Sequence, residues 1–457
     1  MLKLIDHMTR TAVFHPDLRK GYQRRAPENA LAEAISLANA LSGLEVIGGK
    51  VVPIPKPRAG FLFGSGKTDE LAQWIADEEI ELVVIDGPVT PVQQRNLEKA
   101  FDCKLLDRTG LILEIFADRA QTREGVLQVD LASLGYQRTR LVRSWTHLER
   151  QRGGLSFVGG PGETQLEADR RALDERINQI KRALEKVVKT RGLHRKARAK
   201  VPYPIVALVG YTNAGKSTLF NKLSGANVMV KDMLFATLDP TMRSIELESG
   251  QQIILSDTVG FISDLPTQLV AAFRATLEEV LDADLILHVR DISHPESEAQ
   301  AKDVRDILEN LGVTQEQRDG MIEVWNKVDL LDSEALLAAE KIAGRHARHI
   351  AISATTGRNL EQLCELIDET VHDPILHEEL VLPVSAGEET AWLYARKLVV
   401  SSDIKKLEMH LAVEWTHKQK EQFYKLYRGG LAAYELPEDD LEIEVETEEA
   451  EKWHPDD

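Results

Sequence analysis

A chain of 457 residues with 43% hydrophobic and 28% charged side chains has the make-up of a soluble globular protein of about three domains. No run approaches the roughly 18 apolar residues that span a bilayer, and the opening MLKLIDHMTRTAVFHPDL has no continuous apolar core, so neither stable membrane insertion nor secretion is expected. The net charge of -18 disfavours a polyanionic partner only on average.

The charge is unevenly distributed. Residues 137–200 hold 17 Lys/Arg against 7 Asp/Glu, a local +10, whereas the tail from Glu435 to Asp457 holds 12 acids and one Lys. Such asymmetry fits an RNA-facing basic element in an acidic protein, or a solvated helix surface. Cys103 and Cys364 match no metal spacing and are expected to be core thiols in a reducing cytoplasm.

From residue 20 to about 105 the pattern alternates: helical ALAEAISLANAL, strand-like LEVIGGKVVPI, helical DELAQWIADEE, the buried strand IELVVIDG, then helical PVQQRNLEKAF. That order predicts an N-terminal α/β domain over 1–110. Residues 111–151 read as one helix, with Leu127, Leu131, Leu134, Leu141, Trp145 and Leu148 at helical steps. RGGLSFVGGPGETQ interrupts it with five glycines and a proline. A second helix follows, with Leu166, Leu173, Ile177, Ile180, Leu184 and Val187 on a heptad seam. The two predict an antiparallel helical hairpin over 111–200 with a Gly-rich tip. Its outer faces would carry Arg138, Arg140, Arg143, Arg150, Arg170, Arg171, Lys181 and Arg182.

Past a basic linker, residues 201–373 alternate strands (IVALVG, QIILSDTVG, DLILHVRDIS, MIEVWNKVD, HIAISA) with helices, as a doubly wound, mostly parallel sheet does. Residues 374–434 read as a small C-terminal α+β domain: strand ELVLPV, helix ETAWLYARKLVV, strand KLEMHLAVEW, helix KQKEQFYKLY. Residues 435–457 read as an acidic tail, with a strand expected at LEIEV.

Two stretches end in Gly-Lys-hydroxyl. GYTNAGKS satisfies the phosphate-loop pattern through Gly210, Gly215, Lys216 and Ser217, with the buried strand PIVALV before it and a helix after. Its residues Gly210, Tyr211, Thr212, Asn213, Ala214, Gly215, Lys216 and Ser217 are expected to wrap the phosphates. Lys216 would reach the β- and γ-phosphates, and the Ser217 hydroxyl would bind Mg2+. FLFGSGKT has Phe61 where the first Gly belongs and a proline-rich lead-in. The expected role of Gly64 and Gly66 is therefore a turn capping a helix that starts near Thr68.

The base is argued separately. NKVD places Asn326, Lys327, Val328 and Asp329 at a strand's carboxyl end, where a carboxylate accepts the two N–H donors of guanine and would face a lone pair on adenine. Ser353, Ala354 and Thr355 follow the next strand, and a backbone N–H there can bind the guanine carbonyl. Asp257, at the end of ILSD, is suited to hold Mg2+ through water, and Thr258, Val259 and Gly260 lead a backbone N–H to the γ-phosphate. Phe235, Ala236, Thr237, Leu238 and Asp239 occupy the first switch, with Thr237, or else Thr241, as the hydroxyl on Mg2+. Lys216, Thr237 and Gly260 are the candidate catalytic residues. Where many GTPases keep a water-orienting Gln, this chain has Phe261. A partner-supplied group or a monovalent cation such as K+, near Asn213, is expected to complete the site.

The set GYTNAGKS, FATLDPT, DTVGFI, NKVD and SAT, behind a basic hairpin carrying GGPGETQLE, resembles the HflX family of bacterial ribosome-associated GTPases over about residues 20–430. The resemblance implies an Obg–HflX-type P-loop GTPase that turns GTP into GDP and phosphate and is stimulated by the ribosome. It also implies binding to the large (50S) ribosomal subunit and its rRNA, and dissociation of stalled or idle 70S ribosomes under stress. Some family members have been proposed to hold a second nucleotide in the N-terminal domain. The alternative is an assembly or scaffold factor whose GTP cycle gates RNA docking. DNA is not an expected partner, and a monomer is expected.

Overall fold

A computed structural model describes residues 8–18, 25–151, 161–198, 203–225, 234–235, 241–263, 279–371, 375–405, 408–416 and parts of 419–427. Residues 1–371 form one compact unit and 372–457 a second.

The first unit opens with strand β1 (Thr9–Leu18), followed by α1 (Pro27–Ala40), β2 (Leu44–Ile54), α2 (Ser65–Asp77), β3 (Leu82–Ile85), α3 (Pro91–Phe101), β4 (Lys104–Asp107) and α4 (Arg108–Arg119). The four strands are parallel in the order β2-β1-β3-β4. β1 precedes the stretch whose alternation was legible, yet it lies inside the sheet, with Ala12, Val13 and Phe14 fully buried. α3 is well specified: Thr90 and Gln93 form a reciprocal capping box and Pro91 occupies its first turn.

The expected single helix over 111–151 is two helices, α4 and α5 (Arg123–Gln151). Burial of Leu111, Ile112, Leu113, Ile115 and Phe116 seats α4 in the core, and the Thr122 hydroxyl accepts the Gly125 N–H at 3.0 Å to start α5 afresh. α5 packs on α6 (Pro161–Arg198). The seam residues Leu173, Ile177, Ile180, Leu184 and Val187 are buried or half-buried, and Arg170, Arg171, Arg176, Lys181, Arg182 and Lys189 are exposed. Arg138 pairs across the hairpin with Asp174 at 2.7 Å. Arg140 is not an outer cation. It turns inward to Asp107 (3.1 Å), the Tyr136 hydroxyl and Gln94. The Gly-rich tip, 152–160, lies outside the described residues.

The second sheet follows with β5 (Ile205–Gly210), α7 (Lys216–Ser224), β6 (Thr241–Glu246), β7 (Gln252–Asp257), β8 (Leu285–Asp291), α8 (Ser297–Leu311), α9 (Gln315–Asp319), β9 (Ile322–Asn326), α10 (Ser333–Ala343), β10 (His349–Ala351) and α11 (Leu360–Val371). The order β10-β9-β8-β5-β7-β6 is parallel except for β6, which runs antiparallel at the edge. This is the expected doubly wound α/β fold, with β5 flanked by β7 and β8 so that its carboxyl end opens at the sheet's centre.

In the second unit, β11 (Ile375–Pro383), β13 (Glu408–Thr416) and β12 (Val399–Lys405) form an antiparallel sheet in that order. Trp392, Leu393, Leu411, Val413, Trp415 and Phe423 make its core. Its helix α12 (Gly387–Ala395) is shorter than the sequence suggested. Lys397 takes a left-handed φ of 56°, and Val399 and Val400, β-branched, begin β12 instead. The acidic tail lies outside the described residues.

Candidate functional site

β5 is buried along nearly its whole length and delivers Gly210 to the sheet's open end. The turn Tyr211-Thr212-Asn213-Ala214-Gly215 then leads into α7, whose first residues are Lys216 and Ser217. Gly215 has φ +93°, and a Cβ there would lie 2.2 Å from Asn326 Nδ2, so both conformation and space demand glycine. Asn213, also left-handed, is exposed, while Tyr211, Thr212 and Ala214 are buried. The Lys216 ammonium donates to the carbonyls of Gly210 (3.1 Å) and Tyr211 (2.8 Å). Burial pushes it down to about 8, with Asp257 pulling the other way.

Asp257 ends β7, fully buried, and its Oδ2 accepts the Ser217 hydroxyl at 2.7 Å. Two hard oxygen donors so placed beside a phosphate loop suit Mg2+. The Thr258 hydroxyl donates to Leu208 O (2.6 Å) and anchors the segment Thr258-Val259-Gly260 under β5. Two backbone bonds fasten the next residue to the phosphate loop: Phe261 N–H to Gly210 O (3.1 Å) and Thr212 N–H to Phe261 O (2.7 Å). Gly260 is pressed so close that a Cβ would meet Thr212 Cγ2 at 2.7 Å and Lys216 Nζ at 3.1 Å.

Asn326 joins three motifs. Its Nδ2 donates to Ala214 O (2.8 Å) and its Oδ1 accepts the Ala354 N–H (3.0 Å). Lys327, left-handed at φ 65°, pairs with Asp291 at 2.9 Å. Val328 is buried, and Asp329 is exposed on the 3-10 turn that follows. Ser353 is buried, its hydroxyl accepting the Thr356 N–H at 3.1 Å, and Thr355 is exposed. Phe235 is buried against Phe116 of α4, ring centroids 4.6 Å apart edge to face. Ala236, Thr237, Leu238 and Asp239 lie outside the described residues. Thr241 begins β6.

The GSGKT stretch is built differently. β2 ends at Ile54, ten residues before Gly64, and α2 begins at Ser65, three residues earlier than expected. Lys67 pairs with Glu70 at 2.6 Å, and the Thr68 hydroxyl donates to Gly64 O at 3.0 Å.

Sequence reasoning missed the groups that close over the phosphate loop. Glu33 of α1 accepts the Tyr211 hydroxyl and, on its other oxygen, the Ser263 hydroxyl at 2.8 Å. Arg25 and Arg108 flank it, at 2.6 and 2.5 Å. Burial works against the charged Glu33 carboxylate, but Arg108 and Arg25 overcome it and leave the group below its ordinary range. No local signal announces Glu33, which is separated by 178 residues from Tyr211.

A phosphate loop tied through one amide to an Asn-Lys-x-Asp turn makes this chain a P-loop GTPase. Its sequence matches the families described as GTP-binding GTPase N-terminal (residues 28–117), GTP-binding GTPase Middle Region (119–198) and 50S ribosome-binding GTPase (205–327). It is 51% identical over 377 residues to GTPase HflX of Magnetococcus marinus, covering 82% of this chain and 86% of that one. It is 43% identical to GTPase HflX of Escherichia coli, covering 79% and 83%. A GTP-binding protein from Sulfolobus solfataricus, solved in complex with GDP, is 26% identical with a TM-score of 0.42, over 79% of this chain and 98% of that one. The chain belongs to the HflX family of GTPases, and it is a GTP hydrolase.

Proposed function

We propose that this GTPase acts on the large ribosomal subunit, gripping rRNA with the α5–α6 hairpin and dissociating stalled or idle 70S ribosomes under stress in the cytoplasm. The observation that carries this reading is the excess of exposed cations on α6, where Arg170, Arg171, Arg176, Lys181, Arg182 and Lys189 are open to solvent among fewer exposed acids (Glu167, Asp169, Glu175 and Glu185), on a chain of net charge -18. The match to the family described as 50S ribosome-binding GTPase supports it.

In the nucleotide site, Gly210 through Ser217 are assigned to the phosphates. Asp329, with Asn326, Lys327 and the backbone of Ser353, Ala354 and Thr355, is assigned to guanine. Mg2+, held by Ser217, by Thr237 and through water by Asp257, would neutralise charge on the β- and γ-phosphates. Asn213 is assigned to a K+ ion. With Phe261 in place of Gln, hydrolysis by the free protein is expected to be slow and stimulated by the ribosome.

The test mixes the protein with 70S ribosomes and either GTP or a non-hydrolysable analogue, then sediments. Separated subunits with the analogue support splitting driven by binding. Co-sedimentation with intact ribosomes and no separation favours a docking factor, and no co-sedimentation at physiological salt defeats the ribosomal reading altogether.

A further inference from the structure

We propose that Glu33, on a helix of the N-terminal domain, is a positioning residue for GTP hydrolysis: it straps the phosphate loop to the turn that carries Gly260. The inference rests on the assignment of Lys216 and Gly260 to the γ-phosphate.

The strap has few parts, and each is anchored. The Tyr211 hydroxyl donates to one Glu33 oxygen and accepts the Ser263 N–H at 2.7 Å. The Ser263 hydroxyl donates to the other Glu33 oxygen, and the Ser263 carbonyl accepts from Arg108 at 3.0 Å. Every polar group of Ser263 is therefore held by Glu33, its guanidinium partner or the tyrosine it fixes. Arg108 is itself fixed by Asp86 at 2.6 Å, and Arg25 by Asp303 at 3.0 Å. The Glu33 side chain is only 11% exposed, so water cannot replace these bonds freely.

Three residues before Ser263 lies Gly260, already fastened through Phe261 to Gly210 and Thr212. Apolar packing backs the same arrangement: Val259, Phe261 and Ile262 share one buried cluster with Leu111, Ile112, Leu113, Ile115 and Phe116 of α4. Among the described residues, Glu33 bonds none of the groups assigned to guanine, to Mg2+ or to the GDP phosphates apart from the Tyr211 ring hydroxyl, which also meets the Ser263 N–H and Arg25. Its loss should therefore displace the group that meets only the γ-phosphate. An error of about 1 Å in such a group can cost on the order of a hundredfold in rate.

The test uses the full chain with Mg2+ and K+, measuring single-turnover GTP hydrolysis and, separately, the affinity for a fluorescent GDP. Glu33→Gln should slow hydrolysis about tenfold while GDP affinity stays within about twofold, a loss confined to the groups that meet the γ-phosphate. Ser263→Ala should give a smaller loss, and the double variant should be no slower than Glu33→Gln alone, because both remove one strap. Glu33→Asp should recover part of the rate. Hydrolysis within about twofold of the parent, hydrolysis that rises, or additive losses would each overturn the proposal. So would GDP affinity falling in step with the rate. If Glu33→Gln does not fold, Tyr211→Phe removes the hydroxyl alone, and an unchanged rate in that variant has the same force. Lys216→Ala separates the premise: retained GDP binding in that variant defeats the site assignment, whatever Glu33 does.

Discussion

Gly64–Thr68 and Gly210–Ser217 both bring Gly-Lys and a hydroxyl residue to a helix start, yet they differ in everything that precedes them. The second is fed directly from a buried central strand, so its turn is fixed between β5 and α7 and its lysine folds back onto the turn's own carbonyls. The first is reached over ten residues of proline-containing chain, and its lysine spends its charge on Glu70, a surface pair worth little. A phosphate cradle is thus a property of strand, turn and helix together, and the tripeptide is incidental.

The largest effect that can break this contrast is at the lysines. Lys216→Ala should weaken GDP and GTP binding by on the order of a hundredfold, since it removes two or more charge-assisted bonds of about 1.5–3 kcal/mol each. Lys67→Ala should leave binding within about twofold, losing only an exposed ion pair. Titration with a fluorescent guanine nucleotide decides it, and a reversed result would make the N-terminal loop the nucleotide site.

Next in size is base choice. Asp329→Asn presents an amide donor where guanine needs an acceptor, which should cost tens- to hundredfold in guanine affinity. Competition between guanine and adenine nucleotides measures the loss, and an unchanged preference removes Asp329 from the base site. Gly215→Ala probes the crosslink between the two halves of the pocket. Its methyl would fall 2.2 Å from Asn326 Nδ2 at a left-handed φ, so strain of about 1–3 kcal/mol is expected, with a lower melting temperature and weaker GDP binding. A variant with the parent's melting temperature and affinity would show that Asn326 can leave Ala214 without consequence.

What the sequence made legible, and what it hid, follows the same division. Strand-turn-helix signals are local, so β5, β7, β8, β9 and β10, with the turns after them, were readable from residue types and spacing. β1 was hidden because TRTAVFHPDL mixes its buried core with polar ends and a proline. Arg140 was misread because a cation at helical spacing says nothing of the Asp107 and Gln94 that await it from other elements. Glu33 was out of reach for the same reason: a lone glutamate on an amphipathic helix looks solvated until a tyrosine and two arginines arrive from elsewhere in the chain.

Lys216 and His288 extend the contrast to burial itself. Both are buried and both are pushed down, Lys216 to about 8 and His288 to about 3. Only Lys216 sits at a strand's open end with carbonyls to receive it. His288 lies within β8, neither ring nitrogen has a hydrogen-bond partner among the described residues, and Glu323 is 3.9 Å away with Arg290 and Arg305 beyond. Burial, the main cause, holds the ring neutral in the fold. Unfolded, it titrates near 6.5, so below that pH the unfolded chain takes up a proton that the native chain refuses. Stability from this group is complete above 6.5 and declines by about 1.4 kcal/mol per pH unit as pH falls towards 3. Glu323, held down to about 2 from 4.5, adds its own loss only below 4.5. His349, lowered chiefly by burial, shares the sign of His288. His288→Leu should therefore flatten, without abolishing, the fall in melting temperature between pH 6.5 and 5, and leave GDP affinity at pH 7.5 unchanged. Parallel melting curves for parent and variant would mean that the imidazole is already charged in the native state, and that water or Glu323 reaches it there.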